Sequence, residues 1–293
     1  MKLSKITAAL ALTAAAAVSV SATAATITNA DGALTPFGGI DWASGGAAWT
    51  NGLTAAENAA NFDGGGNCIN LAACGFSINY AAWAGNLTQP GGGTLAAPGL
   101  DSTPNGGLDA GKTYEYTIKA SLSATLVKFI PGITAVYTVG SGTFSIYYDI
   151  TGNANLNNGG AGVWTGFGDG TKIIEGNWAT PTPELFNLFN GSGSISLTGA
   201  VTFTDTTYVN PALVGTNVSS TLQLWPSSQI TNFTPPVSVD GVALPGVGPN
   251  DLEALFQADA NQSFTTVPEP TSMLLAGLAL LGAGAASRRR RQG

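Results

Sequence analysis

No histidine occurs anywhere in the 293 residues, and the two cysteines, Cys68 and Cys74, stand six positions apart. Nucleophilic catalysis by serine or cysteine normally needs an imidazole to take the proton, so Ser-His and Cys-His arrangements are excluded. Zinc sites built on imidazole are excluded with them, and two thiolates alone do not complete a tetrahedral site. Two carboxylates acting across roughly 5 to 9 Å remain open as a catalytic arrangement, but that spacing is a property of the fold. A secreted carboxylate-dependent hydrolase is therefore one alternative, without an assignable catalytic residue. The leading expectation is a protein that is not an enzyme and holds no cofactor.

Two binding chemistries deserve weighing. Asp149, Thr151, Asn153, Asn155 and Asn157 place side-chain oxygens at alternate positions, with Asp169 a little further on. Calcium prefers such ligands, yet the glycine and closing glutamate of an EF-hand are missing, so a polar Asn-rich turn is the favoured reading of Asp149, Asn153, Asn155 and Asp169. Six tryptophans lie in segments rich in Gly, Asn and Thr, and Trp42, Trp164 and Trp178 are the candidates for stacking on a sugar ring. Packing is the commoner role for an indole, so a lectin-like module with a Trp-lined or calcium-dependent site stands as the first alternative. Cys68 and Cys74 are expected to form a disulfide within one loop, worth about 2 kcal/mol if loop entropy dominates.

The elements that must carry these groups have a period of two. Tyr114, Tyr116, Ile118, Ala120, Leu122, Ala124 and Leu126 alternate with polar residues, which predicts a long half-buried strand. Residues 133–139 and 144–150 continue the pattern on either side of Gly140-Ser141-Gly142, which reads as a hairpin turn. Ile195, Leu197, Val201 and Phe203, then Leu222 and Leu224, extend it. The predicted class is all-β, an antiparallel sandwich-like ectodomain. One or two short accessory helices are expected at Pro183–Phe189 and Asn250–Phe256, the second opened by an Asn cap with Glu253 three residues on. Residues 84–111 and 226–250 read as long surface loops. A hydrophobic share of 44% against 9% charged residues supports a folded core rather than disorder.

The two ends have a different character. Lys2 and Lys5 precede an apolar run from Ile6 to Val20, and the small residues Ala22 and Ala24 then mark a cleavage site, so residues 1–24 are expected to be a signal peptide removed by signal peptidase. At the other end Pro268-Glu269-Pro270 is followed by an apolar stretch to Ala286 and by Arg288, Arg289, Arg290 and Arg291, the chain's full set of arginines. The stretch from Thr271 to Ser287 spans roughly 25 Å as a helix, near the lower limit for crossing a bilayer, with the arginine end cytoplasmic. Between these ends, residues 25–266 form the expected secreted β-rich domain. From Ala25 to Val267, sixteen acidic residues face Lys112, Lys119, Lys128 and Lys172, about twelve negative charges net. Such a surface repels nucleic acid, and no nucleic-acid role is expected.

Pro-Glu-Pro, a membrane-length apolar helix and an arginine cluster, in that order over residues 267–293, resemble the PEP-CTERM sorting signal of Gram-negative bacteria. The resemblance implies export across the inner membrane, transient membrane insertion, and processing near Pro268–Pro270 by an exosortase, a membrane-embedded protease or transpeptidase. It implies a destination at the cell surface or in the extracellular matrix. Within the ectodomain, residues 36–43, Tyr114-Glu115-Tyr116-Thr117-Ile118, residues 141–149 and residues 166–171 resemble the flocculation-associated PEP-CTERM proteins. That resemblance implies a non-enzymatic adhesive protein which, with exopolysaccharide, holds cells together in flocs or biofilm.

Overall fold

Alternating apolar and polar side chains become strands wherever one face meets a shared interior, and here they do so along nearly the whole ectodomain. The computed structural model describes residues 24–178, 182–187, 192–226, 233, 235–244 and 255–265. Ala24 is the first of these; Ala22, the Pro268–Pro270 tripeptide and the arginine cluster lie outside them, as does the predicted sorting helix. About 60% of the described residues are strand and 3% helix.

In chain order the first strands are β1 (Ala25–Asn29), β2 (Gly32–Phe37), β3 (Gly39–Trp42) and β4 (Gly46–Asn51). A one-turn helix, α1 (Leu53–Ala56), and a 3-10 turn, Ala59–Asn61, follow. Next come β5 (Gly75–Thr88), β6 (Thr94–Leu95), β7 (Glu115–Ile130), β8 (Thr134–Asp149), β9 (Val163–Trp164), β10 (Thr171–Trp178) and β11 (Thr182–Asn187). The last are β12 (Ser192–Thr204), β13 (Val209–Asn210), β14 (Asn217–Pro226), β15 (Ser238–Val239), β16 (Val242–Ala243) and β17 (Leu255–Thr265).

Eleven of these strands form one antiparallel sheet that closes on itself. Around the ring run β5, β7, β8, then β10 and β11 side by side, β12, β14, β17, and finally β3 and β4, both of which pair with β5. Closure is made where β12 pairs with β14, from Gly193↔Leu224 to Ala200↔Asn217. The expected sandwich-like ectodomain takes the form of a closed antiparallel barrel, because period-two patterning states which residues share a face but not whether the two outer strands meet. Inward side chains fill the barrel. Trp42, Tyr80, Ile118, Leu122, Trp178, Leu197 and Leu222 surround its middle and leave only about 20 Å³ of space. Gly176 is required here: a Cβ at this position would collide with the Phe144 ring, which lies 4.8 Å centroid to centroid from Trp178.

Tyr80 points into this interior, and its hydroxyl has no hydrogen-bond partner among the described residues. A buried unsatisfied hydroxyl costs free energy. Tyr80→Phe is therefore expected to leave stability unchanged or raise it by about 1 kcal/mol, read as the urea midpoint. A loss of similar size would show that the hydroxyl is satisfied.

Three local expectations are corrected. Gly140-Ser141-Gly142 is not a turn: β8 continues through it with a bulge against Leu122/Ala124 of β7, and the hairpin with β7 turns instead at Pro131–Ile133, where Gly132 takes a φ of +71°. Gly142 serves close approach, since a Cβ there would strike the facing Ser121 carbonyl and Leu122. Of the helix expected at Pro183–Phe189, the described part is instead strand: Thr182–Asn187 pairs with β8 and β12, so tertiary pairing outweighs a weak local preference, and residues 188–189 lie outside the described ones. Leu255 and Phe256, expected at the end of the second helix, open β17, and residues 250–254 lie outside the described ones. The observed helical turns at α1 and Ala59–Asn61 were not foreseen. Residues 84–111 are loop only in part, as β5 extends to Thr88 and β6 pairs back on it.

One end of the barrel is capped by the small sheet β13-β1-β2 and a group of tyrosines. The Tyr114, Tyr116 and Tyr148 rings lie 5.3–5.6 Å apart, and Tyr208 joins them at 5.1 Å from Tyr148. Tyr114 donates its hydroxyl proton to Asp31 at 2.7 Å, and Asn29 donates to Tyr116 at 3.2 Å. Burial and the Asp31 acceptor push the Tyr114 hydroxyl far above its ordinary range. Elsewhere the Cys68–Cys74 disulfide is formed. It ties the loop that packs Phe62 against Phe129 on β7. Replacing both cysteines by alanine is expected to cost about 2 kcal/mol, and a reducing agent should lower the midpoint of the natural protein but not of the variant.

Candidate functional site

Beside β4, β5 and β7 the outside of the barrel carries a second apolar cluster, built from Ala47, Ala81, Trp83, Trp164, Phe167 and Val239 among others. It exists because the segment from Asn153 to Asp169 and the hairpin β15–β16 fold down as a flap over the wall. The hairpin turns on Asp240-Gly241, whose φ values of +46° and +78° suit a two-residue turn of the primed type. β15 also pairs in parallel with β9, joining the two parts of the flap.

The outward side chains of β7 hold this flap. Glu115 accepts a hydrogen bond from the Ala154 N–H at 2.9 Å, and Thr117 donates to the Phe167 carbonyl at 3.1 Å. Lys119 pairs with Asp240 at 2.9 Å, and the other oxygen of Asp240 accepts from the Phe167 N–H at 3.1 Å. Glu115 is only 3% exposed. Burial pushes its carboxyl up from 4.5 to about 7; the Ala154 N–H opposes that rise, while Asp149, Asp101 and Asp169 add to it.

Where the hairpin stops short of the wall it leaves an open pocket of about 510 Å³, lined by Trp49, Asn51, Asn79 and Lys119 on the barrel and by Val242 and Leu244 on the flap. Trp49 is half-buried, and its strand partner is Asn79. No hydrogen bond joins the side-chain amides of Asn51 and Asn79 to other described residues. A second pocket, of about 370 Å³, lies at the disulfide loop between Phe62, Asp63 and Phe129.

The predicted stacking residues are placed elsewhere. Trp42 and Trp178 are 2% and 3% exposed inside the barrel, and Trp164 is fully covered beneath the flap, stacked 5.2 Å from Phe167. An indole so enclosed presents no face to a sugar, so Trp42, Trp164 and Trp178 are packing residues. Trp49 was missed as a candidate. The calcium candidates are divided: Asn153 donates to Asp169 at 3.0 Å, whereas Asp149 accepts from its own turn at Thr151 and Asn155 accepts from Asn157 N–H. No group of three or more acidic or sulfur ligands converges among the described residues.

On the opposite side of the barrel the outer wall carries rows of hydroxyl and amide side chains, whereas Lys172, Glu175, Asp259 and Phe203 add charge and apolar surface elsewhere. One cross-strand row reads Ser196, Thr221, Asn261, Asp41 and Asn86 from β12 round to β5, and Thr198, Ser219 and Ser263 form the next. No described helix is long and apolar enough to cross a membrane.

Comparison with curated proteins and with solved structures gave no match. Residues 266–291 match the PEP-CTERM protein-sorting motif and begin directly after Thr265, the last residue of β17. The chain therefore carries the PEP-CTERM protein-sorting motif, which implies processing by an exosortase during export and a surface or extracellular location.

Proposed function

We propose that the exported barrel is a structural, adhesive protein of the extracellular polymeric matrix, without enzymatic activity, which promotes cell aggregation together with exopolysaccharide. The reading is supported by the composition of the outer wall: rows of Ser, Thr and Asn, neutral apart from Asp41, spread over adjoining strands rather than gathered in a cleft. Such a surface offers many hydrogen bonds to a hydrated polymer, each individually modest. The flocculation-associated PEP-CTERM proteins, which the ectodomain resembles, point to the same role. A hydrolase has less support, because Glu115, the carboxyl raised toward neutrality, is covered by the flap it holds.

The experiment is an in-frame deletion in the host, scored as the fraction of cells in flocs or biofilm. Deletion is expected to reduce that fraction severalfold and the full chain to restore it. A chain ending at Val267 should be secreted but restore less, if attachment at the sorting tail matters. Unchanged aggregation in the deletion strain would overturn the matrix role.

A further inference from the structure

The pocket at Trp49 has features that the remainder of the outer wall lacks. On β4 the buried Ala48 and Thr50 face the barrel, so Trp49 and Asn51 face out. The flap supplies an apolar opposite side through Val242 and Leu244. A half-buried indole beside amides that form no hydrogen bond with other described residues suits a ligand with an apolar face and a hydroxyl rim, which describes a pyranose ring. Charge narrows the class further. Lys119, the cation in the pocket, is already paired with Asp240, and the exported region carries about twelve net negative charges. An anionic polymer is repelled, so the ligand is neutral.

The pocket also opens onto a line of side chains. Trp49 pairs with Asn79, Asn79 with Ser121, Ser121 with Thr143, and Thr143 with Asn177, crossing β4, β5, β7, β8 and β10. Ser121, Thr143 and Asn177 are exposed. Neighbouring strands lie about 4.8 Å apart, close to the length of one sugar residue in a linear chain, so successive strands present polar groups at about the repeat of such a polymer.

We propose that Trp49 and the row Asn79, Ser121, Thr143 and Asn177 bind a linear neutral polysaccharide, with one ring stacked on Trp49 and the following residues hydrogen-bonded across the wall. This rests on the matrix reading and specifies its ligand class. The test is calorimetry on the processed protein recovered from its host, with cellohexaose, laminarihexaose and mannohexaose as probes and a galacturonic acid hexamer as the anionic control. At least one neutral hexasaccharide is expected to bind, with Trp49→Ala weakening it tenfold or more, Asn79→Ala severalfold, and the anionic control silent.

Absence of binding by all three neutral probes would overturn the proposal, as would natural affinity in both variants or preference for the anionic hexamer. Should Trp49→Ala not fold, Asn79→Ala, on the outer wall, decides alone. Calorimetry addresses the pocket and the deletion strain addresses the matrix role, so either reading can fail while the other stands.

Discussion

Trp42→Ala is expected to destabilise the protein by about 3–5 kcal/mol, whereas Trp49→Ala, seven positions along the chain, should cost about 1 kcal/mol or less. Trp42 is 2% exposed and faces Tyr80, Trp178 and Leu222 across the barrel, where little free volume remains. Its removal forfeits the transfer free energy of the indole and leaves a cavity that a closed ring of paired strands resists collapsing into. Trp49 faces out and loses only partial burial. Urea midpoints of the two variants under one condition make the comparison. Equal losses would show that β3 and β4 do not present their tryptophans to opposite sides of the wall.

The second large effect depends on pH. Glu115 has its carboxyl raised in the folded state from 4.5 to about 7, first by burial. Folded molecules therefore bind more protons than unfolded ones between those values, and stability falls as pH rises through them. The contribution of the neutral form is fully present below about pH 4.5 and lost above about pH 7. Glu115→Gln keeps an oxygen to accept from Ala154 N–H but does not ionise. At pH 8 the variant is expected to be more stable than the natural protein by about 2 kcal/mol, and at pH 4 the two should coincide. The difference between the two stability curves is the informative quantity, because it cancels the contribution of every group the two proteins share. A flat difference from pH 4 to 8 would mean that the carboxyl is solvated and the flap is not held as described.

Alternation made the strands legible. Tyr116, Ile118 and Leu122 face inward as their spacing requires, and the sorting tail was legible because its components are linear in sequence. What alternation lacks is a choice between inside and outside. Trp42 and Trp49 stand on separate strands, β3 and β4, divided by the turn at residues 43–45, so their spacing in the chain does not say which of them the barrel encloses. Closure was hidden for a related reason: the seam between β12 and β14 is set by strand tilt and by bulges such as that at Leu122/Ala124. Thr182–Asn187 was misread because its partners, β8 and β12, are what make it a strand. The Asp240-Gly241 hairpin was a missed signal, since Asp-Gly between valines is a strong local turn pattern. It lay in a segment whose Pro and Gly content suggested only loop. Trp49 went unselected as a direct result, because its pocket exists only once that hairpin lies against the wall.

The closed ring also limits the kind of material such a protein can make. Among the described residues its main wall closes on itself and offers no long free edge on which another copy could continue that ladder, which disfavours templated fibre growth. Cohesion in any assembly containing the folded barrel must come from side chains and loops, as many weak, reversible contacts. Such a network yields under shear and re-forms when shear stops, and it should stain poorly with amyloid dyes while the barrel is intact.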